Sequence, residues 1–195
     1  MINWIKRKFR NCIFPVDDLL ELIPPSKRLL DVGCGQGQFL KAVAKSRSPA
    51  KLAGLEISEK LIRIARSDLQ GLTPHPELEV YDGTHLPGSV AGYDVISLID
   101  VLHHIPASGQ RAILEELFGK MQGGAFLLLK DINAGRPVLC AFNKCHDLIL
   151  SGSIGAERSV QWTRDALSKT GFKIVSGGER RILVYPHYWL LAVKP

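Results

Sequence analysis

Residues 29–40, Leu-Leu-Asp-Val-Gly-Cys-Gly-Gln-Gly-Gln-Phe-Leu, constrain the fold more tightly than any other stretch of this chain. A short apolar run ends at Gly33-x-Gly35-x-Gly37, and a helix-compatible run follows at once. Glycines at such a strand-to-helix turn let the backbone take φ > 0 and come close to a ligand. The helix that starts there presents free N–H groups and the positive end of its dipole. The spacing is G-x-G-x-G, not the G-x-G-x-x-G of dinucleotide loops, and Asp31 stands two residues before the first glycine. A carboxylate in that place suits a cationic group, such as the ammonium of an amino acid, and disfavours a pyrophosphate. The loop reads as a site for a nucleoside joined to an amino acid.

Two further acids extend the pattern. Leu52-Ala53-Gly54-Leu55 has the character of a second buried strand, closed by Glu56, 19 residues after Gly37. An acid about 20 residues past the glycine loop, at the tip of the neighbouring parallel strand, can hydrogen-bond both ribose hydroxyls. A third run, Leu78-Glu79-Val80-Tyr81, ends in Asp82-Gly83, where a carboxylate can accept from an adenine amine and the glycine opens the main chain to the ring edge. Taken singly, each acid is equally well an N-cap or a solvated loop residue. Three at successive strand ends point together to S-adenosylmethionine.

At this point the chain resembles the class I S-adenosylmethionine-dependent methyltransferases. The matching pieces are Leu-Asp-Val-Gly-Cys-Gly-Gln-Gly (30–37), Gly-Leu-Glu-Ile-Ser (54–58), Tyr-Asp-Gly-Thr-His-Leu-Pro (81–87) and Tyr-Asp-Val-Ile-Ser-Leu-Ile-Asp-Val-Leu-His-His-Ile-Pro (93–106), in family order across residues 28–131. The resemblance implies Asp31, Gly33 and Gly35 around the methionine part and Glu56 on the ribose. It implies Ile57 against the adenine, Asp82 with Gly83 at the adenine edge, and Ile99 and Asp100 flanking the cofactor. Residues 143–152 and 185–189 also resemble stretches of small bacterial methyltransferases of fatty-acid-like or polyketide-like biosynthesis.

Length and patterning agree with one domain over 1–195: a basic N-terminal segment (1–27), a cofactor-binding core (28–131), and a substrate-side insertion with a C-terminal hairpin (132–195). Strand patterns alternate with helical ones, the signature of βαβ units. Helices are expected over Asp17–Ile23, Gln38–Lys45, after Ser58, over Ser108–Met121, and from a Thr163 cap to Gly171. Strands are expected at Asp94–Ile99, Ala125–Leu129, Phe172–Ser176 and His187–Val193. The expected fold is α/β and doubly wound, with a mostly parallel seven-stranded sheet and an antiparallel C-terminal hairpin.

The longest apolar runs, Ala125–Leu129 and Trp189–Val193, fall far short of the roughly 20 residues a membrane span needs. The basic N-terminus runs into Pro15-Val16-Asp17-Asp18, where a secretory signal would have an apolar segment. Cysteines 12, 34, 140 and 145 make no disulfide framework, and Cys140, Cys145 and His146 lack a paired C-x-x-C and a fourth ligand. No metal is expected, and a reducing cytoplasm is the simplest compartment.

Methyl transfer requires alignment of nucleophile, methyl carbon and sulfur, and a base only where the acceptor must lose a proton. In open α/β sheets the ligand lies beyond the carboxyl ends of the strands. That selects His103-His104, Lys130-Asp131, residues 142–152 and the loop before the last strand. The resemblance assigns the histidine pair a structural or cofactor-pocket role, since family members carry it whatever their substrate. Lys130-Asp131 is either a substrate contact or a charged exit from a buried strand. Residues 137–150 show helical spacing, with Asn143, His146 and Asp147 on one side. His146, oriented by Asp147 and Asn143, is the first candidate for a base; His187 is the second, expected with Tyr185 at the mouth of the site.

The net charge is +6, and Lys6, Arg7, Lys8 and Arg10 crowd the N-terminus beside apolar residues. Residues 4–14 read as a basic amphipathic lid, or as a contact for an acidic carrier protein or an anionic membrane surface, which would make a cytoplasmic protein peripheral. Nucleic acid ranks behind these, for want of a recognition module or an aromatic stacking platform. Where base-amine methyltransferases carry Asn/Asp-Pro-Pro-aromatic, this chain has Asp100-Val-Leu-His. The expectation is O- or C-methylation of a small-molecule, lipid-like or carrier-linked acceptor. The alternatives are a nucleic-acid or protein methyltransferase, a non-catalytic adenosylmethionine-binding subunit and, more distantly, a nicotinamide oxidoreductase.

Overall fold

The computed structural model describes residues 16–25, 28–136, 139–140, 155–183 and 185–195. A short helix α1 (Val16–Leu22) leads into β1 (Arg28–Val32), α2 (Gln38–Arg47), β2 (Lys51–Glu56), α3 (Glu59–Asp68) and β3 (Glu77–Val80). Then come β4 (Val95–Ile99), a 3-10 turn at Leu102–His104, α4 (Gln110–Lys120), β5 (Phe126–Ile132), α5 (Val160–Thr170), β6 (Lys173–Ile182) and β7 (Tyr185–Val193). The seven strands lie in the order β3-β2-β1-β4-β5-β7-β6. The first five are parallel, and β7 runs antiparallel between β5 and β6.

The central strands are apolar because both faces are covered. On β5, Leu127 and Leu129 pack with Leu114 and Leu117 of α4 and Leu167 of α5. Leu128, between them in sequence, packs on the opposite side with Leu40 and Val43 of α2 and Ile62 of α3. Reversal of the chain between β1 and β4 makes the crevice at their carboxyl ends the natural ligand position.

Several expected elements differ in extent or in cap. Strand β5 continues past Leu129 through Lys130 and Asp131, both almost fully buried. A buried strand tolerates them because each charge has a partner: Asp100 for Lys130 and His103 for Asp131. Strands β6 and β7 both exceed the segments expected from pattern. Strand β6 is exposed along most of its length and β7 buried along most of its own, so neither alternates cleanly. Helix α5 is capped by Ser159, whose hydroxyl accepts from Trp162 N at 3.1 Å. Thr163 sits a turn inside, fully buried, donating to Ser159 O at 3.2 Å and sharing a 2.7 Å hydrogen bond with the Tyr188 hydroxyl. Ser58 caps α3 as expected, through Leu61 N. No helix among the described residues is long and apolar enough to cross a membrane.

A buried amide fastens the loop after β4 to the segment that precedes α5. Gln110 is fully buried, and its Nε2 donates to the carbonyls of Leu102, Ile105 and Ala156 at 2.9, 3.0 and 2.7 Å. Its Oε1 accepts from Arg158 Nε at 2.5 Å, and the Arg158 guanidinium lies 4.4 Å from the centroid of the Trp162 ring. Truncation would strand several buried carbonyls at once. Gln110→Ala should therefore lower the unfolding free energy by about 2–4 kcal/mol, read as a shifted urea midpoint at unchanged m-value.

Candidate ligand and acceptor site

The glycine loop hangs from strand β2. Gly33 N and Cys34 N both donate to the carbonyl of Leu55, at 2.7 and 2.9 Å. Gly33 has φ 77°, and a Cβ there would lie 2.3 Å from Val101 Cγ2, so the loop touches the turn after β4 with no room for a side chain. Gly35 has φ 55° and differs in one respect: a Cβ there would meet nothing within 4 Å, because that side of the loop is open. The same loop then runs into the N-terminus of α2.

Glu56 closes β2 beside this opening. Its Oε2 accepts from Gly35 N and its Oε1 from Ser58 N, both at 3.0 Å, which fixes the carboxylate at the strand tip. Ile57, next in sequence, is 63% exposed, an unusual state for a large apolar side chain at the end of a central strand. Its Cγ2 lies 3.1 Å from where a Gly83 Cβ would stand, so Ile57 and the Gly83 backbone face each other.

Asp82 is exposed and locally engaged. Its Oδ1 accepts from Thr84 N and His85 N, each at 2.7 Å, and Oδ2 lies 3.3 Å from His85 Nδ1. The two amides, His85 first, hold its carboxyl well below the usual carboxylate range. Asp31 lies one residue short of the end of β1, and it is buried. Its Oδ1 accepts from the hydroxyl of Ser97 on β4 at 2.6 Å, so it underlies the loop from within the sheet.

At the end of β4, Ile99 is partly buried and Asp100 takes φ 54°. Asp100 N donates to Lys130 O, and the Lys130 ammonium returns two bonds to the Asp100 carboxylate, at 2.7 and 2.8 Å. Burial opposes ionisation of Asp100, but the charges of Lys130, His187 and His103 outweigh it and hold the carboxyl well below its usual range. One turn onward, His103 Nδ1 lies 2.5 Å from Asp131 Oδ1, and His103 N donates to Asp131 Oδ2 at 3.1 Å. Ile132 N also donates to Asp131 Oδ1, at 2.7 Å.

His187 sits at the expected edge, opposite Ile132 at the end of β5, but it is buried. Its ring stacks on that of Tyr185 at 6.2 Å, and Tyr185 packs with Ile132 and Cys140 in a small apolar cluster. The two residues expected at the open mouth are thus both buried. His146, Asn143 and Asp147, like the basic segment 4–14, lie outside the described residues.

Three connections escaped the sequence reading: Ser97 with Asp31, Lys130 with Asp100, and Asp131 with His103. The histidine pair and the Lys-Asp pair both stand out in the sequence. Their proximity depends on the pairing of β4 with β5, which no local spacing reports.

Comparison with known proteins gives the family and the fold. A family model described as a methyltransferase domain matches residues 4–177. An O-methyltransferase of Pyrenophora dematioidea is 26% identical over 155 residues, covering 77% of this chain and 56% of that protein. Demethylspheroidene O-methyltransferase of Rhodobacter capsulatus is 28% identical over 165 residues, covering 82% of this chain and 40% of that protein. The chain thus spans about half the length of these curated relatives. Magnesium protoporphyrin IX methyltransferase from Synechocystis PCC 6803, solved with bound SAH, shares the fold at a TM-score of 0.72 and 23% identity, covering 92% of this chain and 82% of that one. With a match that runs from the N-terminal segment into β6, and a sheet and glycine loop of the class I fold beneath it, the chain belongs to the methyltransferase domain family.

Proposed function

We propose that this chain binds S-adenosylmethionine at the carboxyl ends of β1 to β4 and directs its methyl group to a small-molecule, lipid-like or carrier-linked acceptor. The observation that carries the reading is the tip of β2. There a carboxylate fixed by two amides stands beside an open glycine and an exposed isoleucine. Those groups fit a nucleoside: Glu56 accepts from the ribose hydroxyls, and Ile57 covers one face of the adenine. The Gly83 backbone admits the ring edge, with Asp82 fixed beside it by its own turn. Asp31, beneath the loop, supplies the negative field that an amino-acid ammonium requires.

The bound donor supplies an electrophilic methyl carbon on a sulfonium, itself a good leaving group. The protein's part is to align the acceptor and to move a proton where one must leave. Asp100 and Lys130 hold the end of β4 rigid at the side from which an acceptor approaches. Burial, followed by the charges of Asp31 and Glu56, pushes the Cys34 thiol up. The thiol stays protonated and does not compete for the methyl group. The relatives' names favour oxygen as the acceptor atom. Labelled methyl transfer into the metabolite, protein and RNA fractions of a cell extract separates a small-molecule acceptor from a macromolecular one.

Glu56→Ala should weaken adenosylmethionine binding by about 1.5–3 kcal/mol, through lost charge-assisted hydrogen bonds to the ribose. Asp31→Ala should weaken it comparably. Titration calorimetry checks both, with circular dichroism to confirm the fold. Unchanged affinity in both variants would place the site elsewhere, and tight binding of NAD instead would identify a nicotinamide enzyme.

The Asp100–Lys130 pair gives a pH-dependent prediction. Lys130→Met leaves a largely buried carboxylate without its partner and should cost about 3 kcal/mol of stability near pH 7. In the intact protein the folded carboxyl of Asp100 is depressed below its unfolded value of about 3.9. Its contribution is therefore present above about pH 4 and is lost as the pH falls through the folded value. Urea denaturation of both proteins should show the difference narrowing below about pH 4, not widening.

A further inference from the structure

The loop that carries Asp82 and Gly83 has no regular secondary structure from Tyr81 to Pro87, so its place depends on anchors. At its start, Tyr81 N donates to the Glu56 carbonyl at the tip of β2, at 3.2 Å. The turn that Asp82 makes with the amides of Thr84 and His85 closes within four residues. It fixes the loop's shape and not its position, and Thr84 and His85 are themselves exposed.

The far anchor is Leu86, 2% exposed and packed in the same core as Leu114 and Leu117 of α4. Buried main-chain groups outside a helix or strand must still find partners, and here one helix supplies both. Leu86 N donates to Glu116 Oε1 at 2.9 Å, and the Lys120 ammonium donates to Leu86 O. Lys120 also lies 2.9 Å from Glu116 Oε1, four residues away on the same helix face. The Glu116 carboxylate reaches the start of the loop as well. Burial first, then the charges of Glu56, Asp82 and Glu116, push the Tyr81 hydroxyl up to about 12.

We infer that Glu116, held by Lys120, is a positioning residue for the purine of the bound donor; this rests on the adenosylmethionine reading above. It fixes Leu86, and through Leu86 it sets where the Asp82–Gly83 edge stands against Ile57. Neither Glu116 nor Lys120 needs to touch the ligand. The approach of the two sides is already close, since a Gly83 Cβ would stand 3.1 Å from Ile57 Cγ2. A displaced loop therefore changes where the ring edge meets its carboxylate. The bond from the adenine 6-amine to Asp82 is directional and weakens steeply when misaligned. Glu116 thereby governs selectivity for a 6-amino purine over a 6-oxo purine, which sets an oxygen against that carboxylate and leaves it unpaired.

The test compares S-adenosylhomocysteine with S-inosylhomocysteine, its 6-oxo counterpart, by titration calorimetry on the full chain. Circular dichroism and urea denaturation follow the fold of each variant. The wild type should prefer the adenosyl ligand by about tenfold or more. Glu116→Ala should weaken the adenosyl ligand about tenfold and keep the inosyl ligand within about twofold, so that the preference collapses. Glu116→Gln keeps an oxygen for Leu86 N and should restore most of the preference. Lys120→Met should show the same loss more weakly, and it carries the contrast if Glu116→Ala does not fold. Asp82→Ala should cost no further selectivity in the Glu116→Ala background, as expected of residues that act through one loop. Phe118→Leu disturbs α4 where it packs on Phe172, and should lower the urea midpoint with the preference intact. An unchanged preference in Glu116→Ala, no rescue by Glu116→Gln, an equal loss in Phe118→Leu, or a wild type that binds both ligands alike would each overturn the assignment. A wild type that binds neither ligand is a separate outcome, which removes the adenosylmethionine reading itself.

Discussion

Two backbone donors converge on one carbonyl at the heart of the molecule: Gly33 N and Cys34 N on Leu55 O. Together with the bond from Gly35 N to Glu56, they suspend the loop after β1 from the tip of β2. The loop's shape is therefore a property of two strands, not of its own glycines. The glycines permit the positive φ values, and the neighbouring strand selects them. Val101 presses on the far side of the same loop, which couples it to the end of β4. The glycine loop and the ends of β1, β2 and β4 are thereby held in one register by the parallel sheet.

The neighbouring strand ends are built differently. At the ends of β4 and β5 the chain buries charges in pairs, Lys130 on Asp100 and His103 on Asp131. Such pairs contribute little net stability over apolar residues of the same size, but removal of one partner costs a great deal. They fix the direction in which each charge points. Lys130 lies in the face of β5 shared with Leu128, while Asp131 lies in the face shared with Leu129.

The parallel core was legible from sequence because its strands are continuously apolar and its helices carry apolar stripes, as in Phe39, Leu40 and Val43 of α2. The three acids and the glycines were legible because their chemistry is local to single strand ends. Strand β6 was harder. Its mostly exposed length carries no inward-outward alternation, so pattern found its first few residues and missed Gly177–Ile182. Lys130 and Asp131 read as either a substrate contact or an exit from the sheet, since adjacent strand residues point to opposite faces and their own neighbourhood does not show what each one meets. Their partners stand 30 and 28 positions away and arrive only through strand pairing. For the same reason Thr163 read as a cap: its actual partner, the Tyr188 hydroxyl, is 25 residues distant.

Strand order also sets a sequence of events in time. β7 is made after β6 yet lies inside it, hydrogen-bonded to β5 on one side and β6 on the other. Nothing can dock against the open edge of β5 until residues 185–193 have left the ribosome. Until then Leu127 and Leu129 lack the cover that Leu190 and Ala192 give them. The nascent chain carries that exposed edge from the emergence of β5 until residues 185–193 follow it, the condition under which partly folded chains associate wrongly. The exposed edge strand β6, with Lys173, Glu179, Arg180 and Arg181, then closes the finished sheet with charge.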